Sequence, residues 1–219
     1  MQTISGCRRK HYPGLKNLEF NQDLRSKRSG YLHKKWTMKI STSQLLDELK
    51  NKTQQHLQYA ETLLGKPEGD LNFRISADSW SVLECLEHLN RYGEFYIPEI
   101  SRKIASSATS SNSTFQPGIL GNYFARTMLP KEKLNKMRTL KAMNPIYSQL
   151  NKSVIDEFIR QQKEMLELLK KAGHVDLEKT KTGISISKWI SLKLGDTLRF
   201  VIYHNERHMM QVTGVLKNI

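Results

Sequence analysis

The chain has 219 residues and carries 35 Lys and Arg against 21 Asp and Glu, a formal net charge of +14 at neutral pH. With 38% hydrophobic and 26% charged residues, 12 Gly and 6 Pro, it is neither collagen-like nor wholly disordered, and its length suits one ordinary domain or two very small ones. No apolar run approaches the ~20 residues of a bilayer span, which excludes a transmembrane helix; two cysteines, Cys7 and Cys85, are too few for a disulfide framework or a four-cysteine zinc site, and a reducing cytoplasm suits them best.

The charge is concentrated at the start. Residues 1–37 hold nine basic residues against two acidic ones, Glu19 and Asp23, a net +7. This stretch has no helical periodicity and reads as a flexible tail. It fits a basic arm for nucleic acid or an anionic surface, a transit peptide, or an extension upstream of a start at Met38. Both acidic residues and the missing amphipathic pattern weigh against the transit peptide. Patterned sequence begins just after Met38, which favours the extension and makes residues 38–219 the folded domain. The charge left on that domain makes a nucleic-acid partner the less supported reading.

Four long helices follow from the periodicity. The first opens at Ser41–Ser43, with Ser43 as cap ahead of Leu45, Leu46 and Leu49, and stops at Gly65 and Pro67. The second begins at Asp78 or Ser79, before Trp80. Its apolar stripe runs through Leu83, Leu86, Leu89, Tyr92, Tyr96, Ile100 and Ile104, with Pro98 expected to kink it or end its regular part. Residues 105–121, rich in Ser, Thr, Asn and Gly, read as a surface loop long enough to cross a helix bundle, and residues 122–149 as short helical pieces broken by Pro130 and Pro145. The third helix is capped by Ser153 and closed by Gly173 after Lys170 and Lys171. Residues 174–193 form a connection with a short amphipathic piece around Trp189. The fourth helix runs from Gly195 or Asp196 to about Lys217. The expectation is an all-α fold: a four-helix bundle with a long crossover between its second and third helices.

The chemistry lies in histidines. On the fourth helix, His204 and His208 stand four residues apart, one turn above each other, so both imidazoles can reach one divalent ion. Val201 and Val212 place the pair toward the apolar sector, where two imidazoles without acceptors or a metal are costly. Asn205 follows His204, which excludes the zinc-protease pattern requiring Glu there. The competing reading is two hydrogen-bonded core histidines. A third ligand has to come from another helix: His88 lies in the stripe of the second helix, and Cys85, three residues earlier, is the fallback, with a small buried hydrophobe as its alternative. Gln211 either bonds within the site or supports packing. Glu206 and Arg207 fall off the ligand face, solvated or at an interface. His11, His33, His56 and His174 are not site candidates.

The stretch Ser79-Trp80-Ser81-Val82-Leu83-Glu84-Cys85-Leu86-Glu87-His88-Leu89 resembles the second-helix signature of the DinB-like (DinB/YfiT) superfamily. The stretch Tyr203-His204-Asn205-Glu206-Arg207-His208-Met209-Met210-Gln211-Val212 resembles that superfamily's closing His-x-x-x-His-x-x-Gln motif, and the region of Gly118, Leu120 and Gly121 is similar to its crossover. The resemblance covers about residues 40–219. It implies a four-helix bundle in which His88, His204 and His208 hold one divalent metal, commonly zinc or nickel. It also implies thiol-dependent S-transfer with a low-molecular-weight thiol as an activity and a homodimer as a plausible assembly; hydrolysis of a small-molecule substrate by a metal-bound hydroxide is the other use such a site allows. Three neutral imidazoles leave an open coordination position, as catalytic sites do. Three classes therefore stand beside each other: a metal-dependent transferase or hydrolase with a cavity beside the ion, a non-catalytic metal-binding or stress-related protein with an apolar lid, and a nucleic-acid binder with a basic stripe on the folded domain.

Overall fold

A computed structural model describes residues 39–129 and 139–219. The proposed tail with its His11 and His33, and Pro130, lie outside the described residues. The described chain is mostly helical. Strand β1 (Ile40–Ser41) leads into α1 (Thr42–Leu63), followed by the short α2 (Glu68–Asn72), the long α3 (Val82–Ala105), β2 (Thr114–Phe115) and α4 (Ile119–Met128). A 3-10 turn, Lys141–Met143, precedes α5 (Ser153–Ala172), the strands β3 (Lys181–Ile184) and β4 (Ser187–Lys193), and α6 (Leu194–Leu216). No helix among the described residues is long and apolar enough to cross a membrane.

The four expected long helices are α1, α3, α5 and α6, but their ends differ from expectation. Ser41, not Ser43, caps α1, its Oγ accepting from the Gln44 N–H. Helix α3 starts three or four residues later than expected because Ser81 and Glu84 form a reciprocal capping box. Trp80 thus stays in the extended lead-in. The helix runs unbroken past Pro98 to Ala105. Lys152, not Ser153, stands at the cap position of α5, and Asn151 Oδ1 accepts from the Ser153 N–H at 2.9 Å.

The connections are more structured than expected. Residues 105–121 are not simply a surface loop: Phe115 of β2 is fully buried, and β2 pairs antiparallel with β1 through Ile40 with Phe115 and Ser41 with Thr114. Gly118 to Gly121 carry the start of α4, which packs on α6. A Cβ on Gly121 would stand 2.5 Å from the Asp196 side chain, so only glycine permits this approach. The amphipathic piece around Trp189 is a strand: β3 and β4 form an antiparallel hairpin, with a bulge at Gly183/Ile184. Its Thr182, Ile184, Ile186 and Ile190 are β-branched residues that suit a half-buried pleated surface.

Helices α1 and α3 each pack against both α5 and α6. The interior has two apolar clusters. One holds Leu45, Leu49, Tyr96, Ile100, Leu169, Leu198 and Ile202, the other Ala60, Leu63, Leu83, Leu86, Ile155, Phe158 and Val212. Where each long helix passes from one cluster to the other, its buried residues turn polar: Thr53 and His56 on α1, His88 and Asn90 on α3, Gln161 and Gln162 on α5, and His204, Asn205 and His208 on α6. A polar layer therefore crosses the middle of the molecule. Hydrogen bonds close it on the α5 side, Asn205 Nδ2 to Gln162 Oε1 and Gln161 Nε2 to the Asn90 carbonyl, both at 3.1 Å. Buried amides are tolerated when paired in this way.

Candidate metal centre

On the α3–α6 side the layer consists of imidazoles. The α3 capping box turns the helix so that His88 enters the interior two turns after Ser81. His204 and His208 occupy successive turns of one face of α6 and meet it there. The Nε2 of His204 lies 3.2 Å from His88 Nε2 and 3.1 Å from His208 Nε2. The three histidines are buried, and their candidate ligand atoms lie within 4.8 Å of one another.

The far side of two rings decides what these nitrogens carry. His88 Nδ1 stands 2.7 Å from the Met143 carbonyl, which only accepts, so the Nδ1 bears the proton and Nε2 is a bare lone pair. His208 Nδ1 likewise donates to Gln211 Oε1 at 3.0 Å, leaving its Nε2 free. Two lone pairs thus face His204 Nε2, where a single proton would have to serve both. A divalent ion uses all three nitrogens. Three nitrogens about 2.0–2.1 Å from a tetrahedral zinc-sized ion stand about 3.3 Å apart, close to the 3.2 and 3.1 Å that separate His204 from His88 and His208. Donor set, tautomers and spacing all fit a cation.

Burial holds the imidazoles neutral, the form that coordinates. It lowers His88 to about 4, against the Met143 hydrogen bond, with the Arg91 charge adding to the shift. His204 and His208 fall well below the ordinary histidine range, first through burial; His208, His88 and Arg207 add to the shift of His204, and His88 and Arg207 to that of His208, against its Gln211 hydrogen bond.

The Met143 carbonyl reaches His88 because residues 141–147 are fastened to α3. Arg91 Nη1 donates to the carbonyls of Ala142 and Asn144, and Trp80 Nε1 donates to Asn144 Oδ1. Glu84, almost fully buried, accepts from the Tyr147 N–H, the Ser81 N–H and Arg74. Tyr147 has a left-handed backbone, φ 66°, unusual outside glycine, and these bonds hold it there, with Arg74 stacked 4.6 Å over its ring. Burial alone would raise the Glu84 carboxyl, but the Arg74 hydrogen bond and the two backbone N–H groups outweigh it and hold the group below the usual range.

Aromatic rings wall the cluster. Trp80 lies 4.6 Å from the His88 ring and 5.7 Å from that of His208, Tyr92 lies 5.0 Å from His88 and 4.8 Å from His204, and Phe200 stacks on His204 at 5.9 Å.

His88, His204 and His208, expected together, are brought together. The fallback Cys85 is not part of the group; it is fully buried among apolar residues, and burial followed by the Glu84 charge pushes its thiol far up. Gln211 bonds within the site. Glu206 is half-buried and meets Lys52 of α1 at 2.8 Å, and Arg207 is buried. His174 is exposed. His56 is buried, its pKa lowered to about 3 by burial and then by Lys52, and lies outside the cluster. Sequence reasoning missed the Met143 carbonyl, Arg91 and the roles of Trp80 and Tyr92 at the site. Of these, only the Ser81-to-Glu84 capping spacing, which sets where Trp80 ends and α3 begins, was there to be read.

The chain matches the family model of the DinB superfamily over residues 46–212. No curated protein and no solved structure matches it. The matched span contains all three histidines and both polypeptide stretches that carry the resemblance, and on that match the chain belongs to the DinB superfamily.

Proposed function

We propose that this protein is a divalent-metal enzyme acting on a small molecule, with His88, His204 and His208 as the ligands through Nε2. We read the four long helices as a four-helix bundle whose crossover, between α3 and α5, carries α4 and the turn that supports His88. The observation that carries the proposal is the convergence of three Nε2 atoms, two of them committed to lone pairs by hydrogen bonds on the far side of the ring. When bound, a divalent ion held by three neutral ligands keeps its full charge and an open position, and acidifies a thiol or a water placed there.

The side chains do the rest. Met143 and Gln211 hold two imidazoles in the coordinating tautomer. Trp80, Tyr92 and Phe200 exclude water around them. Of the two activities, thiol-dependent S-transfer is the better supported. No carboxylate belongs to the cluster among the described residues, so no general base stands ready for water. A thiol, with a pKa of about 8.5, needs far less help to ionise.

The test is elemental analysis of protein purified without a histidine tag, followed by cobalt(II) or nickel(II) titration monitored by tryptophan fluorescence. About one equivalent of metal and quenching that disappears in Trp80→Phe are expected. Failure to bind any of zinc, nickel or cobalt sinks the proposal. Transfer assays with several low-molecular-weight thiols, beside ester and amide substrates, then separate transferase from hydrolase.

A further inference from the structure

Next to the histidines lies a cavity of about 50 Å³ between α3, α4, α6 and the hairpin. Its walls include Tyr92 and Tyr96 of α3, Phe124 of α4, Phe200 of α6, and Ile184 and Leu192 of the hairpin. Two of these walls are shared with the metal centre: Tyr92 touches the rings of His88 and His204, and Phe200 stacks on His204. We infer that this cavity is the specificity pocket of the metal centre and takes a short, uncharged aliphatic group of about three to five carbons. The inference rests on the metal reading above and adds the class of molecule on which the centre acts.

Three observations carry it. No charged side chain lines the cavity, so a carboxylate or ammonium group entering it would lose its hydration without a partner. Its polar atoms are largely spoken for: the Tyr96 hydroxyl and Ser185 bond to each other, with Oγ and N–H of Ser185 both 3.3 Å from the hydroxyl. The Tyr92 hydroxyl makes no hydrogen bond among the described residues, which leaves it as the one phenol at the boundary between cavity and histidines able to meet a polar atom of the ligand. The volume then sets the size. At roughly 10–15 Å³ per water, the cavity holds about three to five water-sized groups, and it is about a third of the roughly 150 Å³ that accommodates benzene. A short alkyl chain fits; an aromatic ring does not.

The hairpin supplies the one wall with a largely exposed residue. Gly183 N–H donates to Glu99 Oε1 at 2.8 Å, and the Ser185 contacts fix the hairpin on α3. Ile186, at its turn, lines the cavity while remaining 55% exposed, so its side chain can be changed with little effect on folding.

The experiment uses the full chain loaded with cobalt(II) and a series of aliphatic hydroxamic acids, whose chelating head binds the metal directly, with the visible cobalt spectrum as readout. Affinity is expected to rise about fourfold per added methylene, the gain for burying one, up to three to five carbons. It should then level off, and benzohydroxamic acid should gain nothing over the one-carbon compound. Ile186→Trp should abolish the chain-length dependence without changing cobalt affinity, and Phe124→Ala should move the optimum to longer chains. Cobalt binding with affinities independent of chain length, or unaltered in both variants, overturns the pocket and leaves the metal centre standing. Failure of cobalt to bind overturns the metal reading and this inference with it.

Discussion

Helix α6 carries two buried polar clusters, and they are built on different terms. In its first turn Asp196 is fully buried, yet every element around it answers its charge: the Gly118 N–H donates to Oδ2 at 2.7 Å, and Arg199 donates to Oδ1 at 3.1 Å and to Asn122 at 3.0 Å. Burial still pushes the Asp196 carboxyl up, against those partners, but the cluster contains both signs. Two turns later, His204 and His208 meet His88 with nitrogens facing one another and no opposite charge among them. Burial is the same in both places. What separates a structural network from a candidate ligand site is that the first pairs opposite charges, whereas the second gathers three neutral nitrogen donors.

Removing one member tests that difference in each cluster. The largest effect is expected for His204→Ala, whose nitrogen is central to the group: bound metal should be lost by elemental analysis, with affinity reduced well beyond the 10–100-fold typical of outer-shell changes, while far-ultraviolet circular dichroism stays unchanged. Next, Asp196→Ala leaves Arg199 buried without its counter-ion and should cost about 3–5 kcal/mol in urea unfolding, with metal stoichiometry unaffected. Adding Arg199→Met should recover part of the loss. Equal loss of metal in both variants would erase the distinction drawn between the clusters.

A smaller effect is expected for Glu84→Gln, which weakens the charged hydrogen bonds to Arg74 and Tyr147 and should cost about 2 kcal/mol at pH 7. The pH dependence has a definite sign. Because the folded carboxyl is held below its ordinary 4.5, its contribution is complete above that value and disappears as pH falls through the depressed folded value. The difference between wild type and variant should therefore shrink on acidification, read from unfolding curves at successive pH values. The smallest effect is expected for Gln211→Leu, which takes the acceptor from His208 Nδ1 and should weaken metal binding about tenfold in calorimetric titration.

Much of this molecule was legible locally. The 3.6-residue stripes located all four long helices, and the one-turn spacing of His204 and His208 put two imidazoles on one face. Errors arose where a local signal had a competitor. Ser79 and Ser81 both precede the α3 stripe, and the capping partnership with Glu84 decided for Ser81. Pro98 reads as a kink or as the end of the regular helix, yet α3 continues past it for seven residues to Ala105. The hairpin is hidden in the sequence because its alternating Thr and Ile residues are short and interrupted by a bulge, and Trp189, at the centre of the expected amphipathic piece, is 96% exposed.

By itself the sequence determined the helical periods and the one-turn spacing of two candidate ligand imidazoles, because those are properties of side chains within a few residues of each other. Tertiary structure alone decided that His88 meets His204 across 116 residues, that a backbone carbonyl at Met143 selects its tautomer, and that a hairpin completes the pocket beside them. Those outcomes depend on how helices pack and where a loop is pinned. A main-chain oxygen is the same at every residue, so nothing in the amino-acid order marks the one that matters.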